Sequence, residues 1–215
     1  MSETRKSAST RRKFLKDTGP AAATTALVTA TTPQLFADED NTLQLALVGC
    51  GGRGTGAAKN ALSVNNGPIK LVAMADVFED KLERSIRRLR EGDIRFARYV
   101  GGEVIRDGKP HKLTQEDIRS NVVNNIKVEP TARFIGQDAF QKVIDSGVDI
   151  VMLATPPGYR PAHFEAAVNA GKHVFCEKPF GTDPVGVQRF MKAARLSEQK
   201  GLTVVSGAQR RFQKP

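Results

Sequence analysis

Five glycines crowd residues 49–56, and their spacing is what could do chemistry here. Gly49, Gly51 and Gly54 fit the pattern G-x-G-x-x-G, with Gly52 and Gly56 in the same stretch. An apolar run, Leu43 to Val48, precedes them, and small residues at helical spacing, Ala57 to Leu62, follow. A second apolar run, Ile69 to Ala75, then ends on Asp76. Strand, glycine turn, helix, strand and acidic residue in that order form the dinucleotide-binding fingerprint. Gly49 lets the chain turn sharply off its strand. Gly51 leaves room for a pyrophosphate, and Gly54 lets the helix pack closely on the strand. The helix N-terminus offers N–H groups and partial positive charge to phosphates, and Arg53 in the loop can add charge there. Asp76 can accept hydrogen bonds from both hydroxyls of an adenosine ribose. A 2′-phosphate would meet a like charge at that carboxylate, which favours NAD over NADP.

Those residues need a sheet to hold them, and the rest of the chain supplies the pattern for one. Strand and helix alternate from Leu43 to Ser206, which predicts an α/β fold with a doubly wound parallel sheet. After Asp76, Val77–Leu89 has helical spacing, with Val77, Leu82, Ile86 and Leu89 on one side. Its outer face is basic, with Lys81, Arg84, Arg87, Arg88 and Arg90. Residues 91–131 read as an insertion, with a hairpin around Glu103–Leu113 turning at Asp107-Gly108 and a helix over Gln115–Asn124. Regular alternation then resumes with a strand at Ala132–Ile135, a helix at Gln137–Ser146 and a buried central strand at Val148–Ala154. Thr155-Pro156-Pro157-Gly158 closes that strand. A helix over Pro161–Ala170 and a strand at His173–Cys176 come next. Asp183 then caps a long helix, Pro184–Gln199, and Leu202–Ser206 is the sixth strand. Lys178 lies just past the carboxyl end of the His173–Cys176 strand, the edge where such sheets bind ligands.

The chain has 215 residues, 40% hydrophobic and 26% charged, which is room for one domain plus extras. Residues 1–37 hold a net charge of +4, leaving +6 of the total +10 for the remainder. That balance suits an anionic cofactor, and no nucleic-acid-binding aromatic pattern or zinc-ligand spacing accompanies it. Neither a nucleic-acid partner nor a bound metal is expected. Cys50 and Cys176 are too few for a disulfide framework and read as packing residues. No apolar stretch has the length of a membrane span. Near the N-terminus, Arg11-Arg12 followed by Lys13-Phe14-Leu15-Lys16 matches a twin-arginine export signal, and about twenty small, weakly apolar residues follow. Residues 1–37 are therefore expected to be a signal peptide read by the export machinery, cleaved after Ala37 or Ala30, which places the mature protein in the periplasm. The twin-arginine route carries folded proteins, so the chain can take up its dinucleotide before leaving the cytoplasm.

Several stretches together resemble one family. GCGGRG at 49–54, ADV at 75–77, ATPP at 154–157, AGKHVFCEKP at 170–179 and GAQRRF at 207–212 are similar to the glucose–fructose oxidoreductase / inositol dehydrogenase / rhizopine-catabolism (Gfo/Idh/MocA) family. The resemblance implies an NAD(P)-dependent oxidoreductase acting on a CH–OH group of a sugar, cyclitol or related polyol, commonly a homo-oligomer. It implies cofactor contacts at Gly49, Gly51, Gly52, Arg53, Gly54, Asp76, Thr155, Pro156, Glu177 and Lys178. Arg210, or its neighbour Arg211, falls where members contact the nicotinamide half. Lys178 is the implied catalytic residue, a cation beside the reacting hydroxyl that stabilises a developing alkoxide and relays its proton. His163, near the same edge, reads as structural. On this reading 38–207 is the Rossmann domain and 208–215 begins a second α/β domain that the chain does not contain. Members' downstream Asp/His pair has no counterpart here, since His111, His163 and His173 all lie upstream of the sixth strand. Two other readings stand beside the oxidoreductase: a glycosidase that uses bound NAD transiently, and a non-catalytic NAD-binding module.

Overall fold

In a computed structural model, residues 41–64, 67–92, 103–106, 109–112 and 114–208 are described. The twin-arginine stretch, the Asp107-Gly108 turn, Arg210 and Arg211 lie outside them.

Six strands form one parallel sheet in the order β5-β2-β1-β6-β7-β8. They are β1 (Leu43–Val48), β2 (Ile69–Asp76), β5 (Arg133–Ile135), β6 (Ile150–Leu153), β7 (His173–Cys176) and β8 (Val204–Ser206). A separate antiparallel pair, β3 (Glu103–Arg106) and β4 (Lys109–Lys112), is the expected hairpin. Six helices connect the strands: α1 (Gly52–Leu62), α2 (Glu79–Arg90), α3 (Gln115–Asn124), α4 (Ala139–Asp145), α5 (Arg160–Asn169) and α6 (Pro184–Gln199). The chain leaves β1 toward one side of the sheet and, after β5, crosses to begin again at β6. The doubly wound sheet inferred from alternation is the one observed.

The apolar runs are continuous because both faces of the sheet are buried. On β1, Leu45 and Leu47 face α1, α2 and α3, packing with Leu62, Leu82, Leu89 and Val122. Ala46 and Val48 face the other way, into a core shared with α4, α5 and α6. There Phe164 is fully buried and stacks on Phe190 with ring centroids 4.0 Å apart. The outermost strand is less covered, and Val204 and Val205 remain exposed on β8.

Residues 118–128 are joined to the core. Ile118, Val122, Ile126 and Val128 are buried. The register of β2 shifts beside β1 between Leu45 and Ala46. At Leu71 the edge of β2 is paired with this segment: the Leu71 N–H donates to the Asn125 carbonyl (2.9 Å), and Lys127 donates back to the Leu71 carbonyl (2.8 Å). β5 then pairs with Met74–Asp76 farther along the same edge. Two local caps fix helix starts. Thr114 and Asp117 form a capping box on α3, and Asp183 accepts from the Gly186 N–H on α6 (2.8 Å). Sequence spacing placed Val77 on the inner side of α2, but it precedes the helix and is exposed. Leu82, Ile86 and Leu89 make the buried stripe without it.

Replacing Phe164 with Ala empties fully packed space and is expected to lower stability by about 3–5 kcal/mol. Val185→Ala, at a position that is 76% exposed, is expected to change it by less than about 0.5 kcal/mol. Urea unfolding followed by circular dichroism measures both.

Candidate functional site

A cleft of about 520 Å³ opens at the carboxyl ends of β1, β2 and β6. This is the switch point of the sheet, where one half of the chain winds left from β1 and the other begins at β6. Its floor is the glycine turn between β1 and α1.

Two of the glycines are required by the protein's own packing. Gly49 has φ +94°, and a Cβ there would lie 2.7 Å from the Ala154 backbone. A Cβ on Gly54 would lie 1.9 Å from the Gly49 carbonyl oxygen. Gly51 and Gly52 differ, because a Cβ on either meets nothing within 4 Å. Gly51 lines the cleft, so the room it leaves faces a ligand and not the core. The helical ladder of α1 starts with the Thr55 N–H on the Gly51 carbonyl (2.9 Å). The N–H groups before it are outside that ladder, and the first turn carries no acidic residue. This arrangement fits the diphosphate of a dinucleotide.

Asp76 ends β2 at one side of the cleft. One carboxylate oxygen accepts the Cys50 N–H (2.7 Å) and the other the Phe78 N–H (3.0 Å). Two backbone donors from different segments thus fix the carboxylate, which still has lone pairs for a ribose. Phe78 and Lys81 stand beside it, with the ammonium 4.5 Å from the ring centroid. Cys50 is buried; burial and nearby Asp76 push its thiol pKa up. Cys176 is pushed up to about 12, chiefly by burial. Neither is a poised nucleophile.

At the other side, Thr155 and Pro156 line the cleft with Tyr159, Arg160 and His163 from the start of α5. The Thr155 hydroxyl is 3.3 Å from His163 Nδ1. The imidazole stacks on Phe140 at 4.0 Å, and burial pulls its pKa down to about 4. Arg160 is 6% exposed and bonds the Pro179 carbonyl through one guanidinium N–H, while its Nε has no partner. Desolvation lowers its pKa.

Arg53, Gly52, Gly54, Glu177 and Lys178 do not line the cleft itself. Arg53 is paired with Glu177, whose Oε1 accepts from Arg53 Nε and Nη2, both at 2.7 Å. Lys178 is exposed beyond the end of β7, ahead of a cis bond to Pro179. Gly49, Gly51, Asp76, Thr155 and Pro156 are therefore brought together, with Glu177 and Lys178 in an adjoining turn. Sequence reasoning did not assign Arg160 to the site. Its position at the first turn after Thr155-Pro156 was the available signal. Among the described residues no three His, Cys, Asp or Glu side chains gather as a metal site, and no helix is long and apolar enough to cross a membrane.

Fold and cleft together define a dinucleotide-binding Rossmann domain. Residues 43–207 match the family model described as an oxidoreductase family with an NAD-binding Rossmann fold, and the chain belongs to that family. A curated relative, an uncharacterised oxidoreductase of Schizosaccharomyces pombe, is 37% identical over 68 residues, covering 32% of this chain and 18% of the relative. Scyllo-inositol dehydrogenase from Lactobacillus casei, solved with NAD(H) and scyllo-inositol, shares the fold with a TM-score of 0.52 at 22% identity. The match covers 81% of this chain and 38% of that one. The WlbA dehydrogenase from Bordetella pertussis, solved with NADH and UDP-GlcNAcA, has a TM-score of 0.53 at 19% identity. The match covers 80% of this chain and 37% of WlbA. The chain thus spans well under half the length of these relatives.

The contrast among the glycines gives a test. Gly51→Ala is expected to leave the melting temperature unchanged and weaken NADH binding about tenfold or more, read by fluorescence titration. Gly54→Ala is expected to destabilise the fold itself, by roughly 3 kcal/mol or more.

His163 gives a second. The folded imidazole stays neutral down to about pH 4, while an unfolded one protonates near 6.5. Unfolding takes up a proton across that window, so stability falls as pH drops from 6.5 toward 4, by on the order of 3 kcal/mol. Urea unfolding at both ends of the window should show the loss, and His163→Gln should remove most of it.

Proposed function

We propose that this chain supplies the NAD-binding half of an exported oxidoreductase acting on a CH–OH group of a sugar, cyclitol or polyol. The observation that carries the reading is the line of groups along the carboxyl edge of the sheet. Asp76 stands at one end, the open Gly51 turn in the middle, and Thr155-Pro156 with the Lys178 turn at the other. An extended dinucleotide fits that line, with its adenosine ribose at Asp76, its diphosphate at Gly51 and its nicotinamide toward Thr155. Bound there, the nicotinamide supplies the hydride acceptor.

The protein's own groups do the rest. The backbone-held Asp76 carboxylate selects a ribose without a 2′-phosphate, because a second anion there would be repelled. Neutral His163 holds the Thr155 hydroxyl without adding charge. Lys178, as an ammonium, stabilises negative charge developing on the substrate oxygen and relays its proton, passing one of its own to solvent as the hydroxyl proton moves onto the nitrogen. Relatives of the same fold solved with an inositol and with a nucleotide sugar support a polyhydroxylated substrate. The pair Arg11-Arg12 with the Phe14-Leu15-Lys16 that follows supports twin-arginine export to the periplasm as a folded, cofactor-loaded protein, with 1–37 removed. A homo-oligomer is part of the same reading.

The test uses the complete reading frame expressed with and without residues 1–37. The protein is expected to bind NADH more tightly than NADPH and to reduce NAD with at least one member of a panel of inositols and aldoses. Lys178→Ala is expected to lower kcat by about a hundredfold or more with the NADH dissociation constant unchanged. Unchanged turnover in that variant would sink the catalytic role. Release of a free sugar from a glycoside without net NADH would point to the hydrolytic relative of this chemistry.

A further inference from the structure

The turn Glu177-Lys178-Pro179 is held at the two residues that flank the lysine, by arginines from two different helices. On one flank the Glu177 carboxylate is 1% exposed and takes two N–H groups of Arg53 on Oε1, each at 2.7 Å. The chain after β8 closes over the same carboxylate, since a Cβ on Gly207 would lie 2.5 Å from Oε1. On the other flank Arg160 donates to the Pro179 carbonyl. Between these anchors Lys178 is exposed, and among the described residues it makes no side-chain hydrogen bond or ion pair.

The origin of the first anchor matters. Arg53 is the second residue of α1, and the turn that begins α1 is the glycine loop. A buried carboxylate is strongly disfavoured without its partner, so Glu177 must follow Arg53 wherever α1 carries it. Backbone links Glu177 directly to Lys178. A shift of the glycine loop therefore reaches the lysine through one ion pair and one peptide unit, across 124 residues of sequence.

We propose that Arg53 and Glu177 are a positioning pair that conveys the state of the dinucleotide loop to the Lys178 ammonium. Neither residue is a ligand of the cofactor. Arg53 uses Nε and Nη2 on Glu177, and a diphosphate at this helix meets backbone N–H groups instead. The inference rests on Lys178 being the group beside the nicotinamide, and the experiment separates the two claims.

Lysines of the full chain are reductively methylated with ¹³C-formaldehyde, and the Lys178 signal is assigned by its loss in Lys178→Arg. In the wild-type chain, saturating NAD is expected to move this signal by a resolved change in chemical shift. In the double variant Arg53→Gln/Glu177→Gln, which leaves no buried charge unpaired, the NAD-induced change is expected to fall by more than about half. NADH affinity by fluorescence should stay within about twofold. Arg53→Lys keeps one N–H on Glu177 and is expected to restore most of the change. A full-sized response in the double variant overturns the positioning pair while leaving Lys178 in place. NADH binding weakened about tenfold by Arg53→Gln but not by Glu177→Gln makes Arg53 a phosphate ligand and also overturns it. A wild-type Lys178 signal that ignores bound NAD overturns the underlying reading of the lysine.

Discussion

The site depends on how closely α1 lies against the end of β1. At Gly54 and Gly49 the backbone of the helix and the backbone of the turn meet with no side chain between them. Gly49 in turn lies directly on the backbone of Ala154 at the end of β6. Three segments thus converge at the switch point of the sheet, where any Cβ would force them apart. Lifting α1 would tilt its free N–H groups away from the cleft, pull Cys50 off the Asp76 carboxylate and carry Arg53 out of reach of Glu177. Cleft shape, anion binding and the lysine turn therefore share one mechanical origin.

Charge is distributed with the same economy. Two of the polar groups facing the cleft are engaged by the protein before any ligand arrives, Asp76 by two backbone N–H groups and Thr155 by a neutral imidazole, while the Arg160 Nε has no partner. Away from the opening, Glu177 is paired inside the fold, where an unpaired carboxylate would be costly. Lys178 is left exposed beside these groups. A cation in this position is solvated until something covers it, and covering it would strengthen every interaction it makes.

The segment between α2 and β5 shows how the core constrains a stretch that lacks a clear pattern. Residues 91–131 read as an insertion because they mix turn signals with short apolar pieces and run longer than a minimal crossover needs. In the structure, Ile126 bridges to Leu71 and α3 buries Val122 beneath the same face as α1. Residues 122–128 complete one side of the core and cover the edge of β2 where β5 has not yet begun. The spacing located the helix, but only packing shows that its apolar residues fill a defined hole in the core.

Much of the fold was legible because it follows from short-range rules. Apolar runs of strand length, a period near 3.6, and Gly, Pro and Asp at the boundaries located the six-stranded sheet; α3, β7 and α6 were placed to the residue. The glycine pattern and Asp76 announced the dinucleotide cleft for the same reason: loop, helix start and strand end are adjacent in sequence. Val77 was misplaced because helical spacing does not reveal where the backbone enters the helix. Arg53 could be read as a phosphate contact, since nothing near it in sequence competes for its charge. Its partner Glu177 is brought within 2.7 Å only by the parallel sheet. Arg160 and His163 likewise joined the cleft through the packing of α5 against β6 and β7. By itself the sequence determined the alternation, the cofactor-binding turn and the strand end that carries Lys178. The tertiary structure decided which charges meet, because a Coulomb interaction depends on distance and burial, and neither is set until distant segments pack.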